Sequence, residues 1–219
     1  MILRLHSFWR SSCSWRVRIG LGLKGLAYEY RAVNLLAGDQ DRPAHRARSP
    51  FGHVPVLEIE EDGRTVTLVE SMAILEYLDE RFRDAPLLPA DLEGRARVRA
   101  LAEHVNSAIQ PMQNTTVRKY LESRQPGLER DFVRHYNELG LAALEEALRD
   151  GKAGRFCHGD TPGLADCYLA PQLYAARRFE LDLAPYPTLL RIEEACSRLP
   201  AFQAAHASRQ PDAPAEARA

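Results

Sequence analysis

Cysteine is scarce in this 219-residue chain and follows no spacing typical of a cysteine-based site. The four cysteines, Cys13, Cys157, Cys167 and Cys196, form no CxxC pair and no dense framework. Disulfide-stapled secreted domains and cysteine-ligated zinc sites both depend on such spacings. The sequence therefore predicts reduced thiols, a cytoplasmic location and no bound metal.

An excess of one charge and long apolar runs are missing as well. Twenty-nine Lys and Arg stand against 30 Asp and Glu, which gives a formal net charge of -1. A nucleic-acid binder usually carries a basic face, and a membrane span needs about 20 apolar residues in a row. The start, MILRLHSFWR, lacks the apolar core of a signal peptide. We expect no nucleic-acid partner, no membrane span and no export.

The first eighty residues alternate between strand-like and helix-like patterns. Residues 2–6 and 28–33 have strand character, and the segment between them has helical spacing that ends at Gly25. The runs VLEI and TVTLV around Asp62-Gly63 predict a hairpin, preceded by a Val54-Pro55 bond whose isomer the sequence leaves open. A helix with one apolar face follows from Ser71. These elements predict an α/β domain over residues 1–83 with a mixed sheet.

The remainder of the chain has helical periodicity only. Pro86 and Pro89 interrupt the pattern, which predicts a linker over 84–91. Helical spacing then recurs near 92–108, 112–123, 128–149, 164–178 and 187–198, so we expect an all-helical domain over 92–219. The polar, Pro-rich end of the chain, QPDAPAEARA, predicts a loosely held tail.

A cluster of small polar residues lies between the first strand and the first helix. Ser11, Ser12, Cys13 and Ser14 stand where free backbone N–H groups and the helix dipole favour negative charge. A thiolate is such a charge, and lowering a thiol pKa from about 8.5 to the mid-sixes requires roughly 3 kcal/mol. From spacing alone, helix capping is the favoured role of the serines, and Cys13 could be a nucleophile or a small buried residue.

Longer motifs carry a family resemblance. RSSCSWRVRIGLGLKG, HVPVL, ESMAILEYL, IQPMQN, GDTPGLADCYLAPQ and SRQPDAP together resemble the zeta class of glutathione transferases over nearly the whole chain. The resemblance implies a thioredoxin-like N-terminal domain, an all-α C-terminal domain, a homodimer and glutathione as cofactor. The implied reaction is glutathione-dependent cis-trans isomerisation of a small dicarboxylate keto acid, either maleylacetoacetate or maleylpyruvate. A conjugating or α-halo-acid dehalogenating transferase and a non-catalytic module of the same fold are the alternatives.

The resemblance also implies roles for individual residues. Ser11 is the first choice for the hydroxyl that stabilises the glutathione thiolate, with Ser12 and Cys13 beside it. Arg10 and Arg178 match positions that bind substrate carboxylates, which suits the planar arginine fork. The expected glutathione contacts are Ser11, Ser12, Cys13, Ser14, Trp15, Arg16, Gln40, His53, Val54, Glu70, Ser71, Gln110, Asn114, Thr115 and Thr116.

Three departures from the family pattern have structural consequences. Gly20 and Gly22 occupy helical positions where alanine is usual, at a cost of up to about 1 kcal/mol each unless packing requires them. Gly163 replaces a hydroxyl cap three residues before Asp166, which leaves half of a capping box. The loop over 36–53 is short, and it contains Gln40.

Overall fold

Four strands form one mixed sheet near the N-terminus, in the order β2-β1-β3-β4. The computed structural model describes residues 1–218, so the last residue of the predicted helical domain, 219, lies outside the described residues. Strands β1 (Ile2–Ser7) and β2 (Glu29–Ala32) are parallel, whereas β3 (Val56–Glu61) and β4 (Arg64–Val69) form an antiparallel hairpin. Asp62 and Gly63 both have positive φ, as a tight hairpin turn requires. The mixed sheet and its hairpin confirm the prediction.

Helices cover this sheet. Helix α1 (Ser12–Leu23) crosses between the parallel strands, α2 (Pro43–Arg46) is a single turn, and α3 (Ser71–Arg81) follows the hairpin. Gly25, at φ 65°, follows the end of α1, where a left-handed residue is favoured. Leu5, Leu57 and Ile74 are buried in the core of this unit. The arrangement is the predicted thioredoxin-like α/β domain.

The second unit is helical. It contains α4 (Leu92–Glu103), α5 (Thr115–Arg124), α6 (Leu128–Ala147), α7 (Leu164–Arg178) and α8 (Pro187–Ser197). A π-helical turn (His104–Ile109) and a 3-10 turn (Gln110–Gln113) separate α4 from α5. The predicted all-helical character of this part of the chain is confirmed.

The end of the chain differs from the sequence-based expectation. The first compact unit comprises Met1–Pro86 together with the segment from Arg198, and the second comprises Leu87–Ser197. Helix α9 (Pro200–Ala205) packs against α1, and a Cβ on Gly22 would lie 3.1 Å from the Ala201 Cβ. Packing therefore explains the glycine at position 22. The tail is not loose, because its Gln210 and Ala213 are buried.

Candidate active site

Ser11 closes the turn between β1 and α1 and caps the helix. Its Oγ accepts a hydrogen bond from the Ser14 amide at 3.2 Å, and its carbonyl accepts one from Trp15 at 2.9 Å. Since Oγ acts there as an acceptor, its hydroxyl proton is available for an anion above the helix end. In the described chain, no hydrogen bond uses the amides of Ser12 or Cys13. One hydroxyl and two amides thus offer donors at the positive end of α1.

The next three residues of the motif point into the first unit. Ser14 and Arg16 are fully buried, and the buried Trp15 indole packs edge-on against His206 with ring centroids 4.8 Å apart. Arg16 donates from Nη1 to Ser71 Oγ at 3.1 Å. The structure gives these side chains packing and support roles on the core side of α1. The glutathione contacts that the resemblance implies at Ser14, Trp15 and Arg16 stay predictions.

Val54 presents its main chain at the head of β3. The Val54–Pro55 peptide bond is cis, and no hydrogen bond in the described chain uses the Val54 amide or carbonyl. The preceding His53 is held at both ends, because its amide donates to Ser49 Oγ at 3.0 Å and its carbonyl lies 2.9 Å from His45 Nε2. A fixed residue with a free N–H and a free C=O can pair with an extended peptide.

The start of α3 lies in the same unit. Glu70 has φ 65° and ψ 122°, a strained conformation for a residue other than glycine, and such strain is found preferentially at functional sites. Its carboxylate is exposed and lies 3.9 Å from His53 Nδ1. Ser71 is buried, and its hydroxyl accepts the bond from Arg16. An exposed carboxylate beside a helix N-terminus can bind an amino group and a carboxylate together, as the two ends of an amino acid require.

The contacts of Gln40 and Arg10 are to neighbouring residues. Gln40 lies in a 3-10 turn (Asp39–Asp41), and its side-chain amide donates to Asp41 at 3.0 Å. The half-buried Arg10 has its guanidinium carbon 5.3 Å from the Trp9 ring centroid, at the edge of the Ser11 turn. Neither contact assigns a ligand to these side chains, so their glutathione and substrate roles stay predictions.

The remaining predicted residues belong to the helical unit. Gln110 begins the 3-10 turn before α5, and Asn114 caps α5 by accepting bonds from the Thr116 amide and hydroxyl at 3.1 and 3.0 Å. Thr115 is the first residue of α5. Arg178 ends α7, exposed, with its guanidinium carbon 5.8 Å from the Phe179 ring centroid. Their predicted glutathione and substrate roles stay predictions.

Within residues 1–218, no group of three or more His, Cys, Asp or Glu side chains could hold a metal ion. None of the helices in that range combines the length and the apolar character needed to cross a membrane.

Comparison with known proteins places the chain in a family. Residues 10–81 match the family described as "Glutathione S-transferase, N-terminal domain", and residues 138–204 match "Glutathione S-transferase, C-terminal domain". A zeta-class glutathione S-transferase of Euphorbia esula is 46% identical over 212 residues, which are 96% of this chain and 92% of the relative. The chain belongs to the zeta class of glutathione transferases.

Two other similar proteins carry names that describe an activity. Maleylacetoacetate isomerase of Anaeromyxobacter dehalogenans 2CP-1, with glutathione bound in its active site, is 67% identical at a TM-score of 0.91, covering 97% of this chain and 98% of that one. Another crystal structure of that enzyme holds dicarboxyethyl glutathione and citrate in the active site. Maleylpyruvate isomerase of Ralstonia sp. is 42% identical over 96% of this chain and 99% of the relative.

Three residues that support the zeta-class turn and strand start were missed from sequence. His45 holds the His53 carbonyl, Arg18 donates to carbonyls of the turn, and Asp212 accepts from the Trp9 amide. Arg18 lies inside the motif RSSCSWRVRIGLGLKG, two residues after Arg16. Its supporting role could therefore have been suspected from the sequence. Asp212 lies 203 residues from its partner, and no spacing pattern reveals such a contact.

Proposed function

We propose that this protein catalyses the glutathione-dependent cis-trans isomerisation of maleylacetoacetate to fumarylacetoacetate. The observation that carries the proposal is the Ser11 cap, which leaves a hydroxyl donor and two free amides at the start of α1. The polar groups of the first unit suit a tripeptide: Ser11 can donate a hydrogen bond to a thiolate, Val54 can pair through its main chain, and the Glu70 carboxylate can accept from an amino group. The named activity of the Anaeromyxobacter relative supports the choice of substrate.

The chain's own residues bind and orient in this scheme. When bound, glutathione would supply a thiolate that adds reversibly to the cis double bond, so that rotation and elimination release the trans isomer with glutathione unchanged. Ser11 donates a hydrogen bond to the sulfur, with Ser12 and Cys13 completing the turn. Val54 pairs main chain to main chain with the cysteinyl part, and Glu70 with Ser71 binds the γ-glutamyl end. Arg10 and Arg178 bind the substrate carboxylates and stabilise negative charge as it develops.

The remaining predicted glutathione contacts are part of the same proposal. We assign Gln40 and His53 to the glycyl end, and the segment of Gln110, Asn114, Thr115 and Thr116 to the cofactor as well, on the resemblance alone. Single alanine substitutions at His53 and Asn114 should raise the Kd for glutathione, measured by isothermal titration calorimetry. An unchanged Kd at either position would remove it from the binding set.

The deciding experiment measures glutathione stoichiometry. Purified protein with substrate and a small amount of glutathione should convert many equivalents of maleylacetoacetate while the thiol concentration stays constant. A conjugating or dehalogenating transferase would instead consume one glutathione per turnover. Conversion that is independent of added glutathione, or no conversion of any maleyl substrate, would contradict the proposal.

Maleylpyruvate is the second candidate substrate, because the Ralstonia relative carries that name and aligns over nearly its full length. The two substrates share the maleyl group and differ beyond the ketone. A comparison of kcat/KM for both compounds on the same preparation decides between them. We expect the larger value for maleylacetoacetate.

The resemblance also leads us to propose a homodimer in the cytoplasm. Light scattering on the eluting protein should give twice the 24.7-kDa chain mass. A monomer at micromolar concentration would contradict the dimer.

A further inference from the structure

The main chain of Trp9, two residues before Ser11, is held by side chains. Its amide donates to Asp212 Oδ2 at 3.0 Å, and its carbonyl accepts from Arg18 Nη2 at 3.0 Å. Strand β1 has already ended at Ser7, so no sheet ladder fixes this residue. Together with the hydrogen bond from the Ser11 amide to the Phe8 carbonyl, these two contacts hold the turn that carries Arg10 and Ser11.

Asp212 is itself oriented from the sheet. Its second oxygen, Oδ1, accepts a hydrogen bond from the Tyr30 hydroxyl at 2.6 Å. Tyr30 lies in β2, in register with Leu5 of β1. Burial, together with the bond to Asp212, raises the pKa of Tyr30, so the phenol remains a donor at neutral pH. With both oxygens engaged, the carboxylate has one geometry toward the Trp9 amide.

Arg18 holds the Trp9 carbonyl from within the core of the first unit. It is 1% exposed, and it donates to Ser7 Oγ and to the Ala205 carbonyl, both at 3.1 Å, as well as to Trp9. Burial lowers the pKa of its guanidinium to about 10, which still leaves it charged at neutral pH. Arg18 thus joins the active-site turn to the end of α9, and Asp212 follows α9 along the same segment.

We propose that Asp212 is a positioning residue for the thiolate site: through the Trp9 amide, and oriented by Tyr30, it holds the turn that presents Arg10 and Ser11. The inference rests on the proposed function for its activity readout. A donor that sits out of place by a fraction of an ångström stabilises a thiolate poorly, because hydrogen-bond strength falls with distance and angle. The C-terminal segment is thereby part of the active-site support.

The test compares Asp212→Ala with Asp212→Asn. The asparagine can accept from Trp9 through its oxygen and donate to the Tyr30 oxygen through its NH₂ group, so it preserves both contacts, whereas alanine removes them. We expect Asp212→Ala to lower kcat/KM at pH 7 by about tenfold, within the losses that small misplacements cause. The pKa in its kcat/KM profile should rise, and Asp212→Asn should restore most of both values.

Two further variants keep the test decisive. Glu216→Ala, an exposed change on the same segment, should leave the activity and the pH profile at wild-type values. If Asp212→Ala does not fold, Tyr30→Phe keeps the carboxylate but removes its orienting donor, and a smaller rise in the same pKa is expected. A wild-type pH profile in folded Asp212→Ala, or in Tyr30→Phe when the alanine variant is unfolded, would overturn the proposal.

A binding measurement separates this proposal from the proposed function. The thiol pKa of bound glutathione can be followed by the ultraviolet absorbance of the thiolate, with no maleyl substrate present. If wild-type protein lowers that pKa and Asp212→Ala raises it again, Asp212 positions the site even if isomerisation is absent. If the pKa is the same in both proteins, the positioning role fails although the isomerase activity stands.

Discussion

Ser11 has the central role in the proposed chemistry, because its hydroxyl is the proposed donor to the thiolate. Its oxygen satisfies the Ser14 amide, so the proton is left for the ligand. The capping role of Ser11 was predictable, because N-caps of α-helices favour short hydroxyl side chains. Its second role, donation to a thiolate, is the one that we propose from the available hydroxyl proton and from the family resemblance.

Replacement of Ser11 by alanine removes both the cap and the donor. We expect kcat/KM at pH 7 to fall by about 10²-fold, the loss typical of a removed anion donor, with partial recovery at higher pH where more thiol ionises unaided. A pH-rate series measures this. Ser12→Ala serves as the matched control, because it keeps the Ser11 hydroxyl and should lose less activity. Equal losses in both variants would move the thiolate role away from Ser11.

His206, which packs against Trp15, makes the stability of the folded protein depend on pH. Burial, and the positive charges of Arg18 and Arg209, lower the pKa of its imidazole in the folded protein. An unfolded histidine titrates at about 6.5, so the unfolded chain binds the proton more readily below that pH. The stability contribution of neutral His206 is therefore present above pH 6.5 and is lost as the pH falls toward the folded pKa.

We expect wild type to lose unfolding free energy relative to His206→Asn between about pH 6.5 and pH 5, the range below the pKa of a free histidine. Asparagine does not titrate, and its Oδ1 can replace Nδ1 as acceptor for the Ser208 amide. Urea unfolding of both proteins at several pH values gives the difference. A gap that stays constant with pH would contradict the lowered pKa.

At the scale of elements, the connection between α4 and α5 is built by close packing. The π-helical turn ends at Ile109, and the 3-10 turn that follows holds Gln113 in a buried network with Gln172 and Asn137 at 2.6 to 3.4 Å. The sequence did not reveal this network, because its three amides come from three separate elements of the helical unit.

Gly140 is where α6 approaches this connection most closely. A Cβ at position 140 would lie 2.3 Å from Ile109 Cγ1, inside the buried core. Alanine is the better helix former by about 1 kcal/mol, but overpacking of this kind costs about 1–3 kcal/mol. We expect Gly140→Ala to be destabilised in chemical denaturation.

A double-mutant cycle identifies the cause. Ile109→Ala removes the clashing atoms, so the double variant should be more stable than the sum of the two single effects predicts. Leu139→Ala, on the exposed side of α6, should be near neutral. Simple additivity of the two changes would show that Gly140 is not limited by Ile109.

At the scale of the whole molecule, the chain returns to its first unit after completing the helical one. Phe202 and Ala205 of α9 are buried in the unit that contains α1. Phe202→Ala should cost about 3–5 kcal/mol, the usual loss for a deleted core aromatic. Hydrogen exchange should show the loss of protection in β1 and α1, with α6 and α7 less affected.

Gln203→Ala is the control on the exposed side of the same helix, and it should leave exchange unchanged. A Phe202→Ala protein whose exchange rises first in α6 and α7 would contradict the assignment of α9 to the first unit.

The local features of this protein were readable from its amino-acid sequence. Strand alternation, helical spacing, the Ser11 cap, Gly25 and the Asp62-Gly63 turn each depend on residues that are neighbours in the chain, and the structure has these elements where they were predicted. The zeta-class motifs are likewise continuous stretches. Local preference and contiguous motifs are readable without coordinates.

Tertiary structure alone decided which distant parts meet. It buried Trp15 against His206, and it brought Asp212 to Trp9 across 203 residues of chain, although a polar, Pro-rich end predicted a loose tail. The direction in which a side chain points depends on what packs against its helix, and a long-range hydrogen bond leaves no periodic trace in the sequence. For that reason the Ser11 cap and the turns were predictable from sequence, whereas the distant residues that hold the Ser11 turn were not.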